Sequence, residues 1–315
     1  MGPFTSNPQV AWPGGKTFAF TIFDDPDFQT PARASAVYDL LADLGIKTTK
    51  GIWPGHPGIP PDKQWWTCLD PEYLKWTQSI QARGFEIGWH GASPQTSLRE
   101  ETRTGLERFR ELFGHPPWTS SQHYDCLENV YWGNARLSGP AHRLLYRLLA
   151  PRQRNLFAGH IPGDPRYWSD LCRHQVKYVR NFVFSNINTL AMCPFMPYHD
   201  PDRPDVNYWY ASSEGANVDS FNRTVSEAHQ DRLEAEGGAC IMYAHFAYRF
   251  AQDGVLNPRF RSLMERLSRK NGWFVPVSTL LDFLASTQPS TVLSHRQRRV
   301  LEHRWLMHKI RFGSA

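Results

Sequence analysis

Between Lys16 and Phe113 the chain alternates short apolar runs with stretches whose apolar residues recur at helical spacing, and this alternation constrains the fold more than any other feature. The run Lys16-Thr-Phe-Ala-Phe-Thr-Ile-Phe23 lies between Pro13-Gly14-Gly15 and an acidic turn, which predicts a strand. Similar runs at Lys47–Trp53 and Phe85–Trp89 predict two more. Between and after them, helices are expected at Pro31–Leu44, Pro71–Arg83 and Leu98–Phe113, with Gly45, Gly84 and Gly114 where each would stop. Strands separated by helices imply a parallel sheet covered by helices, whose chemistry gathers at the strand ends. Residues Asp125–Asn217 are irregular and rich in Pro, Asp, Asn and Trp, and Met196–Asp205 reads as loop. Regularity returns with a helix near Asp219–Glu236, a strand at Ala239–His245, a helix near Pro258–Arg269, a strand at Trp273–Val275 and a helix at Ser278–Ala285. A chain of 315 residues suits one large core.

Polar residues stand at the ends of these strands: Asp24-Asp25 after the first, His90 after the third, and His245 closing Ala239–Tyr243. Taken singly, Asp-Asp-Pro-Asp is an ordinary turn and each histidine an ordinary hydrogen-bonded residue. Together they form a set suited to zinc or another divalent transition metal, because adjacent aspartates repel unless a cation or proton is shared. Such a metal lowers the pKa of bound water and polarises a carbonyl, a second carboxylate takes the proton, and a separate histidine protonates a departing amine.

The net charge of +5 sits in the tail beyond Ser286, where six Arg and Lys residues face one Glu. The tail (286–315) therefore reads as a basic helix or tail appended to a domain at 1–285. Its apolar residues fall on two sides, which suits a solvated or self-packing helix, with docking on an anionic membrane surface or a partner protein as the other option. No aromatic-basic platform accompanies the charge, so nucleic acid is not expected as a partner. The chain has no apolar stretch long enough to span a bilayer, and its first residues lack the order of a secretory signal, so the expected compartment is the cytoplasm. Five scattered cysteines without Cys-x-x-Cys fit buried thiols, not a disulfide framework.

The order of motifs resembles the polysaccharide deacetylases, carbohydrate esterase family 4, over roughly Lys16–Ala285. The matching phrases are Phe23-Asp24-Asp25, Gly84-Phe-Glu-Ile-Gly-Trp-His90, Tyr243-Ala244-His245 and the closing Gly272–Leu281. The resemblance implies a distorted (β/α) barrel of about seven strands and a divalent metal such as zinc. It makes Asp24 the catalytic base, Asp25 and His90 metal ligands, and His245 the general acid. The family's further metal histidine would fall at Pro94, and its Arg-x-Pro-Tyr phrase is replaced by Thr119-Ser-Ser-Gln-His-Tyr124, which makes His123 the substitute ligand. Asp170 is a loose match to the family's later aspartate, and Trp53, Trp89, Trp132 and Tyr243 offer stacking faces, with Trp89 and Tyr243 as candidate substrate contacts. The segment Tyr178–Asn188 is similar to a divergent cytoplasmic subgroup associated with cell-surface polysaccharide synthesis. The implied activity is hydrolysis of an N-acetyl or other N-acyl group from an amino sugar. A non-catalytic carbohydrate-binding or scaffold protein on the same fold is the alternative, favoured if His123 lies far from Asp25 and His90. Another reading takes Asp25-Pro26-Asp27 as the Asp-x-Asp of a metal-dependent glycosyltransferase, which leaves His90 and His245 unused.

Overall fold

The computed structural model of the protein describes residues 10–56, 65–150, 157–288 and 291–313. The elements run β1 (Phe18–Asp24), α1 (Pro31–Asp43), β2 (Thr49–Ile52), α2 (Pro71–Ala82), β3 (Glu86–Trp89), α3 (Arg99–Phe113) and β4 (Thr119–Ser120). They continue with α4 (Pro140–Leu149), α5 (Ser169–Gln175), β5 (Tyr178–Phe184), α6 (Thr189–Met192), β6 (Tyr208–Ser213), α7 (Val218–Thr224), α8 (Glu227–Ala235) and β7 (Ala239–Ala244). A small hairpin of β8 (Ala251–Gln252) and β9 (Val255–Leu256), then α9 (Pro258–Ser268), β10 (Gly272–Phe274), α10 (Val277–Thr287) and α11 (His295–Phe312) complete the described chain.

Strands β1 to β7 are parallel and close into a barrel, because β1 pairs with β7 as well as with β2. The expected α/β barrel of seven strands is therefore what the chain builds. Below the β2 contact, β1 also pairs with β10. The barrel strands are buried almost throughout, so they read as continuous apolar runs without alternation. Helix starts follow local chemistry: Thr30, Asp70 and Asn257 accept hydrogen bonds from the first-turn amides of α1, α2 and α9, and a proline opens each of the three.

Glycines in β2 and β3 make the interior fit. A Cβ on Gly51 or Gly88 would stand 2.9 Å from the Phe23 ring, so only glycine lets that ring fill the barrel beneath the site. At the opposite end Glu86 is buried and accepts hydrogen bonds from Thr49 Oγ1 (2.6 Å), Thr119 Oγ1 (2.7 Å) and the Ser278 amide (3.0 Å). Burial raises its pKa against those bonds.

The helix expected at Asp219–Glu236 is two helices. Ser226 is extended (φ −57°, ψ 160°) and breaks the ladder, while Gln230 Nε2 donates to the freed Val225 carbonyl at 2.9 Å. The tail forms α11, which packs on the barrel wall: Trp305 is fully buried, 4.9 Å from the Phe182 ring of β5 and 5.6 Å from Tyr146 of α4. Arg298 pairs with Asp200 and Asp202, and Arg304 donates to the Ala191 and Met192 carbonyls.

Candidate active site

Side-chain alternation along β1 decides which acid faces the site. Phe23 points into the barrel, and Asp24 therefore points out, where Tyr38 (2.6 Å), Gln29 (2.7 Å) and the Phe246 amide (2.8 Å) all donate to its carboxylate. Burial raises the Asp24 pKa, opposed by Lys50 and these bonds. Asp24 does not line the cavity, so the base expected at this position is displaced: Asp24 fastens β1 to α1 and to the start of the loop after β7.

Asp25 faces inward, but its oxygens are engaged. Arg180 of β5 bonds both, at 3.2 Å to Oδ1 and 2.6 Å to Oδ2, and Ser121 Oγ donates to Oδ1 at 2.7 Å. Burial would raise the carboxyl, yet the guanidinium, aided by His90 and His245, holds it below its usual range. A carboxylate so committed is poorly placed as the expected metal ligand.

The next inward acid is Asp27, which the sequence offered only as the end of an Asp-x-Asp. Its Oδ2 lies 3.0 Å from His245 Nε2, and its Oδ1 lies 3.5 Å from His90 Nε2 and 3.8 Å from His123 Nε2. Burial works against ionisation, but His245 and His90 outweigh it and hold Asp27 well below the usual range. Ser121 spends its proton on Asp25, so the 2.6 Å contact between Ser121 Oγ and His90 Nδ1 places the imidazole proton on Nδ1. Its Nε2 faces Asp27 Oδ1 across 3.5 Å. Both His90 Nε2 and Asp27 Oδ1 are buried without a hydrogen-bond partner among the described residues, the condition a cation relieves.

His123 completes the trio. Burial and the neighbouring His90 lower its pKa, keeping it a neutral donor. Among the described residues, no group of three His, Cys, Asp or Glu side chains is arranged to hold a metal ion as it stands. The 3.5 and 3.8 Å spacings about Asp27 are wider than the edge of about 3.3–3.4 Å in a tetrahedral site with bonds near 2.0–2.1 Å. Bringing those two spacings to that edge takes a few tenths of an ångström. His245 donates from Nδ1 to the Ala216 carbonyl (2.8 Å), which turns Nε2 toward Asp27. Burial opposes its protonation, but Asp27 and Asp25 prevail and raise its pKa.

These groups lie at the floor of a cavity of about 410 Å³. Tyr243, Trp132 and Arg136 line it, and Leu149 of α4 with Lys309 and Gly313 at the end of α11 form its outer wall. Tyr243 lines the cavity, with its ring 4.4 Å from the Arg180 guanidinium and its hydroxyl 3.3 Å from His245 Nε2. Trp89 does not: it points outward to α3 and packs against Phe109 and Trp168, because strand alternation turns it away from the interior that His90 reaches. Asp170 is also elsewhere, paired with Arg99 at 2.6 and 2.7 Å on the outside of the barrel.

Two solved structures share this arrangement of strands and helices. A protein from Mycobacterium smegmatis assigned as a polysaccharide deacetylase is 13% identical, with 92% of this chain and 98% of that one covered at a TM-score of 0.56. The chain has the fold of the polysaccharide deacetylases. An allantoinase is similar at 14% identity and a TM-score of 0.52, with 91% and 96% of the two chains covered. No family model and no curated protein matches the sequence. Arg180, Ser121 and Arg136 are site residues that the sequence reading did not single out. A signal existed for Arg180, a charged residue inside the apolar run Tyr178–Phe184. No helix among the described residues is long and apolar enough to cross a membrane.

Proposed function

We propose that the protein is a metal-dependent amidohydrolase that removes an N-acyl group, such as acetyl, from an amino sugar. The observation that carries this reading is the pair of orphaned atoms, Asp27 Oδ1 and His90 Nε2, facing each other across 3.5 Å beside His123. Asp27, His90 and His123 would hold the metal, with zinc the best match to a carboxylate and two imidazoles. When bound, it supplies an acidified water and polarisation of the amide carbonyl. Asp25 lines the same cavity, is kept ionised by Arg180, and accepts the proton of the attacking water. His245 carries a proton on Nε2 and passes it to the leaving amine, while its Nδ1 bond to Ala216 keeps the ring oriented. Trp132 and Tyr243 give the sugar ring apolar faces. The resemblance of Tyr178–Asn188 to cytoplasmic polysaccharide-synthesis proteins supports a precursor of a cell-surface polysaccharide as the substrate, met in the cytoplasm.

The alternative, a metal-free carbohydrate-binding protein, is favoured by one observation: His245 and Asp27 already satisfy each other's charge at 3.0 Å. Metal per chain separates the two readings. We expect about one equivalent in the wild type, lost in Asp27→Ala, His90→Ala and His123→Ala and kept in Asp25→Asn. A wild type that takes up no zinc on incubation sinks the hydrolase. We also propose that the exposed end of α11, with Ile310, Arg311 and Phe312, meets anionic membranes. Sedimentation with phosphatidylglycerol vesicles, present in the wild type and absent in Ile310→Asp/Phe312→Asp, checks this.

A further inference from the structure

Arg136 brings the outer half of the cavity a positive charge that no described carboxylate balances. Arg136, in a 3-10 turn at Gly133–Arg136, lines the cavity and is only 3% exposed. Its guanidinium lies over the Trp132 ring, Cζ 3.2 Å from the centroid, with the Trp305 ring 5.4 Å away. Nε and Nη2 are buried without an acceptor, and no ion pair joins Arg136 to a carboxylate among the described residues. The other cavity cations do not relieve it. Arg180 is matched to Asp25, and Lys309 approaches from α11. Stacking on indole rings orients a guanidinium but does not replace hydrogen bonds to its N–H donors. Burial with no acid nearby pulls the Arg136 pKa down to about 10, and Arg180 adds to the effect.

An unpaired buried cation is costly, and a ligand that brings the counter-charge relieves that cost. A planar, pre-oriented guanidinium suits an oxyanion above all. We propose that Arg136 is the centre of an oxyanion subsite, and that the substrate is an amino sugar bearing a phosphate or carboxylate group. This deepens the hydrolase reading, on which the identity of the sugar rests; the subsite itself rests on Arg136. The anion sits between Arg136 and the end of α11, and the amide carbonyl is thereby carried toward Asp27 and His90 on the floor.

Calorimetric titration with inorganic phosphate, glucuronate and neutral N-acetylglucosamine tests this on the full chain, with zinc content measured in the same samples. We expect the wild type to bind phosphate or glucuronate more tightly than N-acetylglucosamine; the preferred anion identifies a phosphorylated or a uronic substrate. Arg136→Met should weaken that binding about tenfold or more while unfolding at the same or a higher temperature, since an apolar side chain replaces an unmatched charge. Arg136→Lys, which keeps the charge but not the fork, should weaken it severalfold, and a His90→Ala protein should retain it. Equal anion affinity in wild type and Arg136→Met, or no preference for either anion over N-acetylglucosamine, overturns the proposal. Anion binding without zinc leaves the subsite standing and removes the hydrolase reading; zinc without anion binding does the reverse.

Discussion

Tyr38 donates a 2.6 Å hydrogen bond to Oδ2 of Asp24, and both residues are fully buried between the barrel and α1. The bond reaches a carboxylate already desolvated, so its loss is not made good by water. We expect Tyr38→Phe to cost about 1.5–3 kcal/mol in urea unfolding with metal content unchanged. Wild-type stability in that variant would show Asp24 to be independent of the tyrosine.

Arg180→Met should act on both stability and chemistry. Without its cation, Asp25 is governed by burial and its pKa rises. In the wild type the depressed pKa stabilises the fold above the ordinary carboxylate value of 3.8 and is lost below it. The substitution should thus cost about 3–5 kcal/mol at pH 7, and less at pH 4. On an N-acetylated sugar, the acidic limb of kcat/KM should move to higher pH, because the base must still be ionised. An unmoved limb would remove Asp25 from that role.

Glu128 behaves in the opposite sense. It is 4% exposed, and burial raises its pKa from 4.5 to about 7. Below pH 4.5 both folded and unfolded states hold the proton and nothing is lost. Between 4.5 and 7 the unfolded state ionises first, so stability falls, and above 7 the penalty is constant. Glu128→Gln should therefore raise stability at pH 8 by about 2–3 kcal/mol and change it little at pH 4, read from paired unfolding curves.

Trp305→Ala removes the side chain that seats α11 on Phe182 and Tyr146. A loss of about 3–5 kcal/mol is expected from the cavity left behind. If α11 were only an appended tail, chemical denaturation would report no change.

Residues 16–113 were legible because each strand is bounded by turn residues and each helix carries its own cap and stop. Residues 119–217 were not. Strand β4 is two residues long, too short for any period to appear, and β5 and β6 are buried on both faces, which erases alternation. At the site, His90, His123 and His245 do converge, and His123 stands beside Asp27, not distant from the cluster. The aspartates that line the cavity lie one inward position further along. Family order pointed to 24 and 25, whereas Asp25, just past β1, and Asp27, in the turn that follows, are the ones that line the cavity. Trp89 lies one residue before His90 and on the opposite face.

The pairing of β1 also bears on how the chain reaches this state. Residue 19 pairs with residue 239 on one edge, and residue 18 with residue 272 on the other. Closing such distant partners is slow, since the loop entropy is lost before the contacts form. Asp25 and Asp27 emerge early in synthesis, whereas His245 arrives more than two hundred residues later. A nascent chain therefore holds Asp27, His90 and His123 well before His245, and the site is complete only in the step that shuts the barrel.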